Sequence, residues 1–138
     1  MTNPSKKKGT EAESAVVRFC REVGWPDAER LALAGSQDKG DVRLSRHVIL
    51  EVKAGRQAQT ASLTQIDAWL AETERERVAA GAQVGVLVVQ RRGLGLLRVG
   101  LWDAHLDLGT LAAGKPNRMF GTVRLQVALM LLHPRWIA

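Results

Sequence analysis

The chain contains very little cysteine, histidine or tyrosine. Its 138 residues include one cysteine, three histidines and no tyrosine. A single cysteine excludes an internal disulfide, and Cys20 falls on the apolar side of a predicted helix, so we expect a small core residue rather than a nucleophile. The histidines His47, His105 and His133 lack the spacing of metal ligands. A zinc site or another histidine-based metal site is therefore not expected.

Long apolar runs are also missing. No part of the sequence approaches the roughly 20 apolar residues of a membrane span. Residues 1–8 are polar and basic with no apolar stretch after them, which argues against a signal peptide, and we interpret them as a flexible basic arm. These absences predict a cytoplasmic protein with no membrane partner.

The chain does have an excess of positive charge and enough apolar residues for one core. Its formal net charge is +6, and its isoelectric point is about 10.2. A hydrophobic content of 46% is sufficient for a single domain spanning residues 1–138. The positive charge favours an anionic partner, and nucleic acid is the commonest such partner for a small basic protein.

Helical and strand-like patterns follow one another along the chain, which predicts an α/β fold. Helices are predicted over residues 10–23 and 62–78. The second helix opens on a capping box from Ser62 to Gln65 and closes at Gly81. Strands are predicted, in chain order, at residues 29–33, 42–44, a run ending at Lys53, a buried run Val84–Val89, 94–102 and the alternating segment 122–131.

Two carboxylates and one lysine lie around the predicted hairpin. Side chains of a strand alternate between faces, so Glu51 and Lys53 point to one side while Val52 points to the other. Asp41 precedes the hairpin at a distance that lets the fold bring it beside Glu51. From the spacing alone, a turn aspartate and an exposed Glu–Lys pair explain the same residues.

These residue types suit the hydrolysis of a phosphodiester. Two carboxylates and the carbonyl of Val52 make a plausible open site for Mg²⁺, for which Mn²⁺ can substitute. The metal would activate water and neutralise charge on the phosphate. A protonated Lys53 could hold the attacking water or a non-bridging oxygen.

The same residues resemble the signature of the PD-(D/E)XK nuclease superfamily. Asp41 followed after nine residues by Glu51-Val52-Lys53 fits that spacing, with Gly40 where the family name places proline. The segment 8–13 is similar to the start of the first helix in archaeal-type Holliday junction resolvases and their phage-encoded relatives. The segment 34–36 resembles their serine- and glycine-rich loop. The resemblance implies a restriction-endonuclease-like αβββαβ core with a central mixed sheet, extended here by C-terminal strands.

The resemblance further implies that a glutamate of the first helix joins the site. At about 100° per residue, Ala12, Val16 and Cys20 form an apolar stripe, with Glu13 at its edge and Glu11 on the solvated side. This geometry favours Glu13. The predicted catalytic residues are Glu13, Asp41, Glu51 and Lys53, and the predicted metal ligands are Glu13, Asp41, Glu51 and the carbonyl of Val52.

The activity implied by the resemblance is a Mg²⁺-dependent endodeoxyribonuclease, selective for DNA structure and acting as a homodimer with two symmetric sites. We hypothesise that the apolar segment 127–132 and Trp136 form the dimer interface. Gln57 and Gln65 are interpreted as structural. Residues predicted to contact DNA phosphates rather than bases are Lys6, Lys7, Lys8, Arg30, Ser36, Lys39, Arg43 and Arg56.

Two alternatives stay open from the sequence. One is a general nicking or repair nuclease of the same fold. The other is a nuclease-fold DNA-binding or scaffold protein without turnover. An intact set of acids and lysine favours an enzyme, and substrate preference separates the two nuclease classes.

Overall fold

The computed structural model of the chain describes residues 4–31 and 40–138, with side chains described from Gly9 onward. In the described residues, six strands and five α-helices alternate along the chain, with one 3₁₀ helix between them. Their bounds are α1 Pro4–Glu22, β1 Glu29–Arg30, β2 Val42–Ser45, β3 Val48–Lys53, α2 Arg56–Gln59, α3 Leu63–Ala80, β4 Val84–Val89, the 3₁₀ helix Leu96–Leu101, β5 Asp103–Asp107, α4 Leu108–Ala113, β6 Phe120–Arg124 and α5 Leu125–Trp136.

The six strands form one mixed sheet in the order β1-β2-β3-β4-β5-β6. Strands β3 and β4 pair in parallel, and the other neighbours pair antiparallel. A parallel pair needs a crossover, which α3 provides between the two strands. The fold is therefore α/β, with the predicted αβββαβ order at its centre and β5 and β6 as the additional C-terminal strands.

Helices cover both faces of the sheet. On one face, Leu50 and Val88 join the main core, which also contains Val16 of α1 and Leu129 of α5. On the other face, Leu87 and Val89 of β4 pack with Leu70 of α3 and form a smaller cluster. Glu51 lies next to Leu87 in the sheet and Lys53 lies next to Val89, so both point toward α3.

The two predicted helices are present, and α3 has the expected ends. Its Ser62 hydroxyl accepts a hydrogen bond from the N–H of Gln65 (3.1 Å), and Gly81 closes it with a φ of 67°. Helix α1 begins at Pro4, earlier than predicted, so the interpretation of residues 1–8 as a flexible arm is wrong for residues 4–8. Proline suits the first turn of a helix and lysine is a good helix former, which explains the extension.

The strand predicted at residues 94–102 is wrong. This segment forms the 3₁₀ helix, and β5 begins only at Asp103. The indole N–H of Trp102 donates to the carbonyl of Leu94 (2.9 Å), and the backbone of Gly100 lies so close to Phe19 that a methyl group there would meet the ring at 2.5 Å. The glycine thus permits a close contact between this segment and α1.

The strand predicted at residues 122–131 is correct only for its beginning. Strand β6 ends at Arg124 and α5 starts at Leu125. The buried residues after that point are Leu125, Ala128, Leu129, Leu132 and Trp136. They recur at the three- and four-residue spacing of a helix face, which the alternating apolar residues of the segment conceal.

Strand β1 covers Glu29–Arg30 and does not include Leu31, and residues 32 and 33 of the predicted strand lie outside the described residues. Among the helices of the described residues, none is long and apolar enough to cross a membrane.

Candidate metal centre

The hairpin brings Asp41 beside β3, as predicted. The N–H of Asp41 donates to the carbonyl of Leu50 (3.0 Å), and its Oδ2 accepts from the N–H of Val52 (2.8 Å). Gly40 precedes it with a φ of 99°, and a Cβ there would lie 3.3 Å from the Leu50 carbonyl. Only glycine adopts this backbone without strain. The aspartate is therefore held against the segment that carries Glu51.

Lys53 lies among acidic and aromatic groups on the face covered by α3. Its Nζ is 3.3 Å from Oε1 of Glu72 and 3.8 Å from Oε1 of Glu51. The same ammonium lies 5.6 Å from the centre of the Trp69 ring, within the range of a cation–π contact. The predicted Glu51–Lys53 pair is thus present, but it is mostly shielded from solvent instead of lying on an exposed strand face.

Two further carboxylates from α3 complete the cluster, and neither was predicted from the sequence. Ligand oxygens of Glu51, Glu72 and Glu76 all lie within 4.8 Å of one another. Residues four apart share one face of a helix, and this face of α3 packs on the sheet. Glu76 is 2% exposed. The burial of Glu76 could have been predicted from its position in α3. It follows Thr73 by three residues and Leu70 by six, and both of these residues are buried.

Burial dominates the electrostatics of Glu51, which is 3% exposed. Its pKa is raised far above the usual range by burial first, and then by the neighbouring carboxyl groups of Asp41 and Glu76. These effects outweigh the attraction of Lys53. No N–H or hydroxyl group in the described part of the chain donates to Oε2 of Glu51. Without a cation, these surroundings favour the protonated form of Glu51.

Lys53 keeps its charge in the same surroundings. Burial lowers the pKa of Lys53, but the carboxyl groups of Glu51 and Glu72 raise it by more, so the net pKa lies above the ordinary value. The site therefore presents one ammonium at the side of a carboxylate cluster.

Glu13 lies outside the carboxylate cluster formed by Glu51, Glu72 and Glu76. It belongs to α1, which packs on the other face of the sheet, and its carboxylate lies 3.7 Å from the guanidinium of Arg30. Glu11 is exposed, as predicted. A role for Glu13 in the site stays a prediction.

The residues predicted to contact DNA have different surroundings. Arg30 pairs with Glu13 and Arg43 pairs with Glu29, so both have protein partners. Arg56 is exposed at the start of α2. Ser36 and Lys39 lie outside the described residues, and the side chains of Lys6, Lys7 and Lys8 lie outside the described part of α1.

Two open cavities lie at the ends of the sheet strands. One, of about 340 Å³, is lined in part by Ala54 and Arg56, which follow β3, by Gln90 and by Glu11 of α1. The other, of about 550 Å³, lies between α3 and the end of the sheet, and Asp67, Glu74 and Asp107 line it with Arg118. Three acids against one arginine do not suit a phosphate backbone, so the cavity lined by Arg56 is the better candidate for an anionic substrate.

Comparisons of the chain with protein families, with curated proteins and with solved structures found no match. The functional argument therefore depends on the site itself. Its donor set fits a hard divalent cation, because carboxylates converge there and one buried carboxylate oxygen has no donor. The carbonyl of Val52 stays a predicted ligand.

Proposed function

We propose that the protein is a Mg²⁺-dependent endonuclease that hydrolyses DNA phosphodiesters. The observation that carries the proposal is the position of Lys53, whose ammonium lies 3.8 Å from the buried carboxylate of Glu51. Asp41 is held to the same strand by the N–H of Val52. Two acids and a lysine in one partly enclosed site are the groups that metal-assisted phosphodiester hydrolysis requires.

Asp41, Glu51 and the Val52 carbonyl would hold the ion. When bound, Mg²⁺ would activate the attacking water and neutralise charge on the phosphate. Asp41 is preorganised for this role because its other oxygen already accepts a backbone N–H. Glu51 would give up its proton as the cation binds.

Lys53 would act as a fixed positive charge beside the scissile phosphate. Its contacts with Glu72 and the Trp69 ring restrict the ammonium to one place, and its raised pKa keeps it protonated at neutral pH. An ammonium so placed can hold a non-bridging phosphate oxygen or orient the attacking water.

DNA is the proposed substrate, and branched DNA is the proposed preference. The net charge of +6 favours a polyanion. Arg56 lines the cavity of about 340 Å³, where a backbone phosphate could lie. The preference for junctions and the homodimer rest on the resemblance and on the symmetry of a four-way junction.

The proposed dimer interface needs correction. Trp136, Leu129 and Leu132 are buried within the described core and are not available to a second copy. Met130 and Leu131 are exposed on the outer side of α5 and stay candidates.

A DNA-binding protein without turnover is the second candidate. Its specific support is the ion pair of Lys53 with Glu72, which can serve as a structural contact alone. A general nicking nuclease remains within the first proposal.

The test is the cleavage of labelled four-way junction, linear duplex and single-stranded DNA with Mg²⁺, Mn²⁺ or EDTA. The variants are Asp41→Asn and Lys53→Met, with Glu74→Gln as a control on α3 whose carboxylate pairs with Arg77 and is not part of the cluster. We expect metal-dependent cleavage that both site variants lose and the control retains. Preference for the junction would support the resolvase subclass, and equal cutting of duplex would support the general nuclease. Binding of DNA without cutting under every condition would support the non-catalytic candidate.

A further inference from the structure

Glu76 has no role in the proposed reaction, and Glu72 enters it only through its contact with Lys53. Glu72 and Glu76 lie close to Glu51, whereas Asp41 is held by the backbone N–H of Val52. The three ligand oxygens span at most 4.8 Å, which matches the separation of oxygens around one hard cation whose bonds are 2.0–2.6 Å long.

A cluster of acids is by itself common on protein surfaces, but this cluster is not on the surface. Glu51 and Glu76 are 3% and 2% exposed. Oε2 of Glu51 is buried and accepts no hydrogen bond from an N–H or hydroxyl group of the described residues, and the carboxyl groups of Asp41 and Glu76 lie close to Glu51. A buried carboxylate is costly to leave without a compensating charge. Within the described residues, one ammonium, that of Lys53, is shared by Glu51 and Glu72, so a divalent cation would allow both of them to stay ionised.

We propose that Glu51, Glu72 and Glu76 form a divalent-cation site of their own, separate from a site at Asp41 and the Val52 carbonyl and joined to it through Glu51. The ion enters from the side of Glu72, whose side chain is 34% exposed. This inference goes beyond the nuclease proposal, because the site binds its cation in the absence of DNA.

Lys53 competes with the ion in this arrangement. Its ammonium lies 3.3 Å from Glu72 and 3.8 Å from Glu51, and it occupies the space beside two of the three ligands. Removing the ammonium therefore strengthens cation binding, although the nuclease proposal requires the same residue for cleavage. Lys53→Met is therefore predicted to strengthen cation binding at this site and to abolish DNA cleavage.

The experiment is a titration of the full chain with Tb³⁺, followed by luminescence on tryptophan excitation and by competition with Mn²⁺. Trp69 lies one helical turn from Glu72 and Glu76 lies one turn further, so the ion is close enough to be sensitised. Variants are Glu76→Gln, Lys53→Met and Trp69→Phe, with Glu74→Gln as the matched control. Circular dichroism checks that each variant folds.

We expect saturable luminescence that Mn²⁺ displaces. Glu76→Gln should weaken the affinity on the order of 10- to 100-fold, Glu74→Gln should leave it unchanged, and Lys53→Met should tighten it. Trp69→Phe should reduce the intensity at saturation without changing the affinity. Wild-type affinity in Glu76→Gln, or full intensity in Trp69→Phe, would overturn the site. The failure of this inference can be distinguished from the failure of the nuclease proposal. If the wild-type protein binds the cation but does not cleave DNA, this inference stands and the nuclease proposal fails.

Discussion

The protonation of Glu51 makes the stability of the metal-free protein depend on pH. Its pKa is raised in the folded state by burial and by Asp41 and Glu76. The folded protein then keeps a proton that the unfolded chain releases above its ordinary pKa. The contribution of Glu51 to stability is therefore greatest at low pH and falls as pH rises, with a slope of about 1.4 kcal/mol per pH unit for one proton. Between about pH 6.5 and about pH 8, the free energy of unfolding should fall by up to about 2 kcal/mol.

The assay is urea denaturation in EDTA at several pH values, with wild type beside Glu51→Gln. Glutamine keeps the shape of the side chain and cannot titrate. Other groups also contribute to the pH dependence. The pKa of His105 is lowered by burial despite Asp103, so its effect falls at the acidic end, and burial raises the pKa of Cys20 to about 12, so its effect falls at the alkaline end. His105 and Cys20 are present in both wild type and Glu51→Gln. The difference between the two proteins in the slope of unfolding free energy against pH therefore reports on Glu51.

We expect the difference in slope to approach one proton and to shrink when Mn²⁺ is added, because a cation takes the place of the proton. Equal slopes in wild type and Glu51→Gln without metal would mean that Glu51 is already ionised in the folded protein. The electrostatic description of the site would then be wrong.

Three further predictions concern the scaffold and are measured by chemical denaturation. Asp107→Ala should lower the free energy of unfolding by about 1–3 kcal/mol, because that carboxylate accepts the backbone N–H of Thr110 in α4 and those of Asn117 and Arg118 in the loop after α4; no loss would show that the loop does not depend on it. Gly100→Ala should cost about 1–3 kcal/mol through its clash with α1, whereas Gly95→Ala meets open space and should be neutral. Leu132→Ala should cost about 2–5 kcal/mol, and Leu131→Ala, at an exposed position, less than about 0.5 kcal/mol; equal costs would contradict the packing of α5.

Local chemistry determines the parts of the fold that the sequence predicts well. The buried run of β4 and the caps of α3 depend on a few neighbouring residues, such as Ser62 and Gly81, so they can be found without knowing the tertiary structure. The C-terminal segment behaves differently. Apolar residues at every second position of 123–131 fit a strand, and the same residues supply the three- and four-residue spacing of α5. Only the core that α5 completes with Trp136 decides between them.

The candidate site likewise contains residues that can be predicted from local sequence and residues that cannot. Asp41, Glu51 and Lys53 are found from strand alternation and a hairpin, which are both local. Glu72 and Glu76 are not, because carboxylates four residues apart are usual on solvated helices. Their importance depends on which face of α3 packs on β3, and the crossover between parallel strands sets that face.

The most direct test of the central claim compares Mg²⁺-dependent DNA cleavage by wild type, Glu51→Gln and Glu74→Gln at neutral pH. Glu51 is the residue shared by the proposed catalytic ion and the carboxylate cluster, and Glu74 carries the same charge on the same helix as Glu72 without facing the cluster. We predict cleavage by wild type and Glu74→Gln and none by Glu51→Gln. Cleavage by Glu51→Gln at the wild-type rate would contradict the assignment of this buried carboxylate to the active site.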